Sequence, residues 1–586
     1  MAVSLHGCRE QFPAVGETRG FSKSLARRAG FRDSVARQPP RIRSATESLA
    51  VPPMPPATPL HPDPSPAIAT TVLAPDAQWV TRLVTSEDGA IRRGRRWLLV
   101  AFALYVIALQ LVVPHGIGGS WRECDTQAIA RNFLIDGFNP LRPQIDWRGD
   151  TDGAVECEFP LYQLMIATAM AVVGEAEWPG RVLALLSMLV AAFSLHRLLE
   201  ARVGPAGALA GALVFLTGGH AAVLGTRVMP DALSTALAMA GLVTYVRFLA
   251  TGNSVTLWLA TAAVAFGALA KPTALQIGLL LFLWTLVLAP RRLREPRVWL
   301  AYGSILGLVA LWLWHGGQLH RETGLTFGVA SGGDTKFPGV QHLLMPDLYV
   351  QMAKTTGRYG FSVLGALALG VLLVRRRFDR FDACLLLVVT LGLLGSFRYS
   401  HTSGLGRHYH IFAAVAGAYC VARAFPPQAH RWVWGLLLAA VLGQATIHFG
   451  NERAWRQDVL RSPQLPLAAA VQAASAAKEL VVVHGTQAAF DSFWQRPINF
   501  EEPMLFYNSR RRGWVLPLDA VTSADLASLR QRGARLFVDQ VPAATPAEAK
   551  QWLAAHAELL STHPGGEIYR FHPVAEPGPA QGGDKR

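Results

Sequence analysis

Long apolar runs, each closed by arginines or a short polar turn, recur through the middle of this chain. They fall near 97–113, 181–196, 205–225, 231–249, 255–270, 272–289, 298–315, 359–374, 383–397, 409–421 and 432–449. A membrane-spanning helix needs ~20 predominantly apolar residues, so the repetition predicts a polytopic α-helical membrane protein. One further run, FPLYQLMIATAMAVV at 159–173, is short enough either to cross or to lie along the interface. Positive charge decides between the two. With 159–173 left on the surface, IRRGRR, Arg197, Arg202, Arg247, RRLREPR (291–297), RRRFDR (375–380), Arg423 and Arg431 all fall on the side of the amino terminus. The short loops opposite hold only Arg227, Lys271, Arg398 and Arg407. Letting 159–173 cross would set every later cluster against the first. The positive-inside bias therefore predicts eleven spans, a cytoplasmic amino terminus and an extracytoplasmic carboxyl terminus in the cell inner (plasma) membrane.

Past 449 the pattern changes. ELVVVHG, GWVLPL, ARLFVDQ and EIYRFHP read as short strands, separated by helical stretches such as SADLASLRQRG and PAEAKQWLAAHAELL. That alternation predicts a small extracytoplasmic α/β domain over 450–586. VVVHGTQ lacks the glycine pattern of a dinucleotide site. The first ninety residues differ again, being Arg-rich and then Pro-rich without periodicity. Such a segment buries too little apolar area to order itself and has no apolar core of a secretory signal. Residues 1–90 are read as a disordered cytoplasmic tail, or as sequence upstream of the true start, and 91–449 as the transmembrane domain, with a long first outer loop at 114–180.

Composition changes this picture little. Of 586 residues, 51% are hydrophobic and 16% charged, which suits a chain largely dissolved in lipid. A net charge of +15 would suit nucleic acid, but the arginines sit at the ends of apolar runs, so no such partner is implied. Five cysteines (Cys8, Cys124, Cys157, Cys384 and Cys420) form no CxxC or Cys/His pattern. A bridge between Cys124 and Cys157 would tie two acidic arms of the first outer loop together. Sharing a loop does not bring two thiols within bonding distance, however, and the sequence favours free thiols.

Candidate chemistry gathers on the predicted outer face. The first loop carries Glu123, Asp125, Asp146, Asp150, Asp152, Glu156 and Glu158; TRVMPDALSTAL gives Arg227 and Asp231; LAKPTAL gives Lys271; and FRYSHTSGLGRHYH gives Arg398, His401, Arg407, His408 and His410. Ionisable groups at that depth are costly and are functional candidates by default. Structural readings stand beside the functional ones. SWRE matches a Ser-x-x-Glu capping box, which makes Glu123 a helix-start residue paired with Ser120 and leaves Asp125 as the residue with chemistry to do. The Pro-Asp of Asp231 serves equally as a turn and cap. Lys271 and Arg227 could reach head groups as snorkelling cations, yet they run against the topological bias and so suggest an anionic partner. DTDG at 150–153 reads as a polar turn, and the histidines of RHYH lack the spacing of metal ligands.

Taken together, the acidic first loop, the Phe-Pro-Leu-Tyr of 159–162, the Pro-Asp at 230–231 and the Ala-Lys-Pro at 270–272 resemble the GT-C superfamily of polyprenyl-phosphate-dependent membrane glycosyltransferases. In pattern the chain is similar to glycosyltransferase family 39, with its protein O-mannosyltransferases, and to the aminoarabinose transferase acting on lipid A. The resemblance covers roughly 95–425. It implies that Asp125 is the first-loop acid acting at the acceptor, as general base. Asp231, Glu158 and Lys271 match other site positions of the family, and Arg227, Arg407 and His408 are added as donor-binding candidates. One departure matters: lipid A transferases carry a phosphate-binding Lys just before the juxtamembrane proline, where this chain has Phe159. The lipid phosphate must then be held elsewhere, which argues against lipid A as the acceptor.

The implied reaction is inverting transfer of a hexosyl or pentosyl group from a polyprenyl-phosphate-linked donor to a hydroxyl of a lipid, glycan or protein. Phosphate leaves without a general acid once its charge is stabilised, so one carboxylate suffices as base. A divalent metal held by Glu158, Asp231 or a histidine would share that work. Two rival readings remain open at this point. A polysaccharide polymerase or ligase would carry its large outer loop late in the span order, and a lipid or solute transporter would show repeated halves and mid-bilayer charges.

Overall fold

The computed structural model describes residues 73, 75–84, 89–331, 339–400, 407–498 and 500–574; the tail read from 1–72 lies outside them. Helices follow in order: α1 Gly89–Val112, α2 Trp121–Ile135, α3 Leu161–Val173, α4 Trp178–Val203, α5 Pro205–Thr217, α6 Gly219–Leu224 and α7 Pro230–Thr251. Next come α8 Ser254–Ala270, α9 Leu275–Leu288, α10 Pro296–Thr323, α11 Val340–Leu343, α12 Pro346–Thr355, α13 Ser362–Val374, α14 Arg380–Gly395, α15 Phe397–Ser400, α16 Ile411–Ala424 and α17 Arg431–Leu460. Each apolar run of the sequence coincides with helix, the 205–225 run being broken at Gly218 into α5 and α6. By length and composition, five helices among the described residues can cross a membrane, or six if α12 and α13, bent by 107° at the turn between them, count as one span. The remaining apolar helices, including α5, α8 and α9, are shorter.

Local chemistry sets the helix ends. Proline occupies the first turn of α4, α5, α7, α10 and α12, where its missing N–H costs no hydrogen bond. Asp379 caps α14 in a reciprocal box with Asp382, and Asn253 caps α8 by accepting from Val255 N at 2.7 Å. At one end of the bundle, charges that would be costly in lipid are paired. Arg95 and Arg197 both reach Glu200, at 3.0 and 3.2 Å, and Arg423 lies 3.2 Å from Asp379 and 3.0 Å from Asp382.

At the opposite end sit α2, α3 and a C-terminal domain. Helix α17 runs on past residue 450 to Leu460, so the domain's own first element is α18, Gln464–Ala473. Its sheet has the order β4-β1-β5-β7-β6, built from β1 Leu480–His484, β4 Arg512–Leu516, β5 Ala534–Asp539, β6 Ala557–His563 and β7 Gly566–Phe571; β2 Phe490–Asp491 and β3 Arg496–Pro497 form a separate small ribbon. Strands β4, β1 and β5 are parallel, while β7 runs antiparallel to both β5 and β6. The helices α19 Pro503–Ser509, α20 Ser523–Gln531 and α21 Ala547–His556 lie between the strands in sequence. All four predicted strands form. The stretch PAEAKQWLAAHAELL does not stay helical, because from Ala557 onward it pairs with β7 as a hairpin closed by Pro564 and Gly565. Pairing at the sheet edge overrides helix propensity there.

The two faces of this sheet bury different partners, as alternation along a strand requires. Val482 and Phe537 point to a core closed by Leu526 and Leu529 of α20 and Leu553 of α21. Val481, Val483, Leu536 and Val538 point the other way, into a core shared with Ile129 and Phe133 of α2 and Tyr162 and Ile166 of α3. The first long loop and the C-terminal domain therefore form one folded body. Gly149 marks how closely they meet: its φ is +60°, and a Cβ there would stand 2.3 Å from the Trp514 indole nitrogen.

Candidate active site

The helix opened by SWRECDTQ does not begin with the predicted capping box. Ser120 makes no side-chain cap hydrogen bond. Glu123 is instead fully buried, paired with Arg456 of α17 at 2.8 and 3.1 Å, and accepts from Val228 N at 2.8 Å. The Ser-x-x-Glu spacing was satisfied, but a buried guanidinium competes far better for the carboxylate than an exposed backbone N–H does. Glu123 thus locks the start of α2 against α17 and the turn before α7.

That lock places Arg122 and Asp125 on a buried surface facing three other segments. Phe159 N donates to Leu269 O at 2.9 Å, and Trp312 Nε1 donates to Cys157 O at 2.9 Å, which brings the Glu-Phe-Pro turn against the end of α8 and the interior of α10. Glu158 then meets both cations: Lys271 Nζ lies 2.8 Å from its Oε1 and Arg122 Nη2 lies 2.8 Å from its Oε2. Asp231, in the first turn of α7, stands 3.9 Å from Lys271. Burial works against ionised Glu158, but Lys271 and Arg122 outweigh it and hold the carboxyl well below the usual carboxylate range. Arg122 answers in kind: burial alone would lower it, and the charges of Glu158, Asp125, Glu501 and Asp231 raise it instead.

Asp125 and Asp231 each keep one buried oxygen without a hydrogen bond. Asp125 is 1% exposed, Trp147 Nε1 donates to its Oδ1 at 2.9 Å, and its buried Oδ2 has no hydrogen-bond partner among the described residues. Burial pushes it up to about 7, against the pull of Arg122 and Trp147. A carboxyl with that titration, at the edge of a paired cation cluster, is suited to exchanging a proton near neutral pH. Asp125, Glu158, Asp231 and Lys271 therefore come together as the sequence suggested. Arg122 and Trp147 belong with them and were missed. Arg122 stood in the very motif that drew attention to Asp125, one helical turn before it.

Other candidates lie elsewhere. Arg227 gives two hydrogen bonds, at 2.9 and 2.8 Å, to Glu452 and stacks 3.3 Å from the Trp455 ring centre, apart from the Lys271 cluster. Its sign on the chain pointed to an anion, and the anion is a carboxylate of α17. His408 lines a recess with His220, Tyr359, His448 and Glu452, a lining that includes none of the four converging residues. The side chain of Arg407 and the whole of His401 lie outside the described residues. Arg398 pairs with Asp491 at 3.6 Å. Asp150 reaches Arg532 at 3.0 Å and Asp152 reaches Arg142 at 2.7 Å, so DTDG is an ion-paired turn. Glu156 accepts from Ala330 N at 2.9 Å and from Thr326, anchoring the loop to the end of α10. As a metal site the set does not fit. Both Glu158 oxygens are committed to cations, and among the described residues no group of three or more His, Cys, Asp or Glu could hold an ion.

Cys124 and Cys157 are both free and buried, their thiols raised well above the ordinary range by burial and by adjacent carboxylates. Mass spectrometry of unreduced, alkylated protein is expected to return both as separate alkylated peptides. A linked Cys124–Cys157 pair would contradict the structure.

Comparison with known proteins bears on the same region. A family model described as dolichyl-phosphate-mannose-protein mannosyltransferase matches residues 158–315, which take in Glu158, Asp231 and Lys271 but not Asp125. No curated protein matches the chain. Among solved structures, ArnT from Cupriavidus metallidurans in the apo state superposes with a TM-score of 0.56 at 12% identity, covering 81% of this chain and 98% of that one. ArnT from the same organism bound to undecaprenyl phosphate gives 0.55 at 13% identity, over 82% and 98%. At these identities the likeness is one of fold.

Proposed function

We propose that this chain, a multi-pass membrane protein of the GT-C glycosyltransferase superfamily, transfers a sugar from a polyprenyl-phosphate donor to an acceptor hydroxyl with inversion, Asp125 acting as general base. The observation that carries the reading is the buried cluster in which Arg122, Lys271, Glu158 and Asp231 converge beside Asp125. The donor's prenyl tail lies in the bilayer and its phosphate at head-group level, against Arg122 and Lys271. Glu158 holds the two cations in place, and Arg122 supplies the charge that Phe159 does not. The acceptor oxygen attacks the anomeric carbon, its proton passes to an Asp125 carboxylate oxygen, and the bond to the phosphate oxygen breaks with its electrons going to the lipid phosphate. A single displacement of this kind inverts the anomeric centre. In the membrane, α3 lies along the interface, the first loop and C-terminal domain face outward, and the basic helix ends face the cytoplasm, which gives eleven crossings.

The direct test is transfer by purified full-length protein from labelled polyprenyl-phosphate sugars. Label is expected on an acceptor hydroxyl with equimolar release of polyprenyl phosphate. Release of a polyprenyl diphosphate, or no transfer from any donor of the panel, would overturn the reading. Lys271→Met is a sharper probe of the phosphate side. Loss of a charge-assisted contact of ~1.5–3 kcal/mol predicts roughly a 10- to 100-fold rise in donor KM. Acceptor KM is expected to hold within about 3-fold, a weakening near the noise of such measurements. A change confined to acceptor KM would reverse this division of the pocket.

A further inference from the structure

Helix α10 ends at Thr323, and the segment after it, 325–330, is bound along the stretch of the first loop that leads to Glu158. Buried Glu156 makes the ties. Its N–H donates to Leu325 O at 3.2 Å, its carbonyl accepts from Phe327 N at 2.8 Å, and its carboxylate accepts from Ala330 N at 2.9 Å and from Thr326. Phe327, 8% exposed, is carried by this tie into contact with two site residues at once. The Arg122 guanidinium carbon lies 4.5 Å from its ring centre, and the Trp147 ring centre lies 5.9 Å away with the planes 30° apart. Arg122 is the partner of Glu158, and Trp147 is the partner of Asp125.

A buried guanidinium is ordinarily fixed by a fork of hydrogen bonds that uses up its donors. Arg456 is held that way: it donates to both Glu123 oxygens, to Gly116 O and to Thr226 O, and its side chain is 0% exposed. Arg122 is held differently. Among the described residues its guanidinium makes one hydrogen bond, from Nη2 to Glu158 at 2.8 Å, and its side chain keeps 19% exposure. The face of Phe327 supplies the second contact. A ring face attracts a cation through its quadrupole and takes no N–H in doing so. The remaining donors of Arg122 therefore stay available for phosphate oxygens while the group itself is fixed.

We propose that Phe327 is a positioning residue for transfer, its ring holding Arg122 for the donor phosphate and bracing the Trp147 indole that fixes Asp125. This rests on the reading of Arg122 as a phosphate-binding cation and of Asp125 as general base. One ring from the segment after α10 thus sets both sides of the reaction. With Oδ1 held by Trp147, the Oδ2 of Asp125 is the oxygen left to take the acceptor's proton.

The test replaces Phe327 in the full-length protein by a graded series of ring-fluorinated phenylalanines. Fluorine drains charge from the ring face and leaves its size nearly unchanged, so packing is kept while the attraction for Arg122 fades. Donor KM is expected to climb with each added fluorine, to roughly 3- to 30-fold at full fluorination, with acceptor KM held within about 2-fold. Phe327→Leu also removes the brace from Trp147. It is expected to raise donor KM by a similar factor and to lower kcat by roughly 3- to 10-fold. A donor KM that stays flat across the fluorinated series, or wild-type kinetics in Phe327→Leu, would make Phe327 a packing residue and overturn the proposal. Thermal unfolding in detergent separates the contact from the function and needs no turnover. The double variant Arg122→Met with Phe327→Leu is expected to lose less than the two singles summed, since each single already breaks the shared contact. Additive losses overturn the proposal even if transfer occurs. Non-additive losses in a protein that transfers nothing uphold the contact and count against the transferase reading.

Discussion

An Asp125→Asn variant is expected to fold as the wild type does and to lose sugar transfer by at least ~10²-fold, the scale of removing a general base. The amide is nearly isosteric and its oxygen can still accept from Trp147 Nε1, so the local hydrogen bond of 2.9 Å survives while the proton acceptor is gone. The pH dependence follows from the same group. Burial pushes Asp125 up to about 7, and only its ionised form can take a proton, so wild-type kcat/KM rises as pH increases through about 7 and falls below it. In the asparagine variant the residual rate has no such limb. Measuring kcat/KM from pH 5.5 to 9 for both proteins checks the two points together, over a span of about one and a half pH units or more on each side of the expected limb. Near-wild-type turnover by Asp125→Asn would return Asp125 to the role of a residue in the first turns of α2.

The second large effect falls on stability. Arg456→Met is expected to destabilise the protein by ~3–5 kcal/mol, because it strands the Glu123 carboxylate, 0% exposed, without its bidentate partner. Glu123 also holds Val228 N, so the damage reaches the turn that sets Asp231. The double variant Glu123→Gln with Arg456→Met is expected to recover part of the loss, since it no longer leaves an unpaired charge in a dry site. Thermal unfolding in detergent, compared across the two singles and the double, gives the coupling. A single-variant loss of about 1 kcal/mol or less would mean that the pair is solvated in a way its burial does not suggest.

The helices were legible because lipid leaves a chain few choices. A run such as 231–249 is too apolar to be anything but a buried or membrane helix, and Pro230 marks its start. The parallel strands were legible for a related reason: Val481, Val482 and Val483 in succession need cover on both faces. Asp125, Glu158, Asp231 and Lys271 could be chosen because each is a charge where charge is costly. What the residues could not reveal was pairing at long range. Arg227 looked like a ligand for an anionic substrate until α17 supplied Glu452, and Glu123 looked like a cap until α17 supplied Arg456.

The core shared by the first loop and the C-terminal sheet also fixes when this protein can finish folding. Ile129 and Val481 belong to that one core, yet a ribosome adding ~5–20 residues per second makes the second roughly 20 to 70 seconds after the first. Through that interval the apolar residues by which α2 and α3 meet the sheet stay uncovered. Secondary structure can form at once, but the contacts that orient Asp125 wait for the last quarter of the chain. The site is therefore assembled at the end of synthesis, and a chain stopped at Leu460 would hold its helices in lipid with an unclosed, aggregation-prone surface where the chemistry should be.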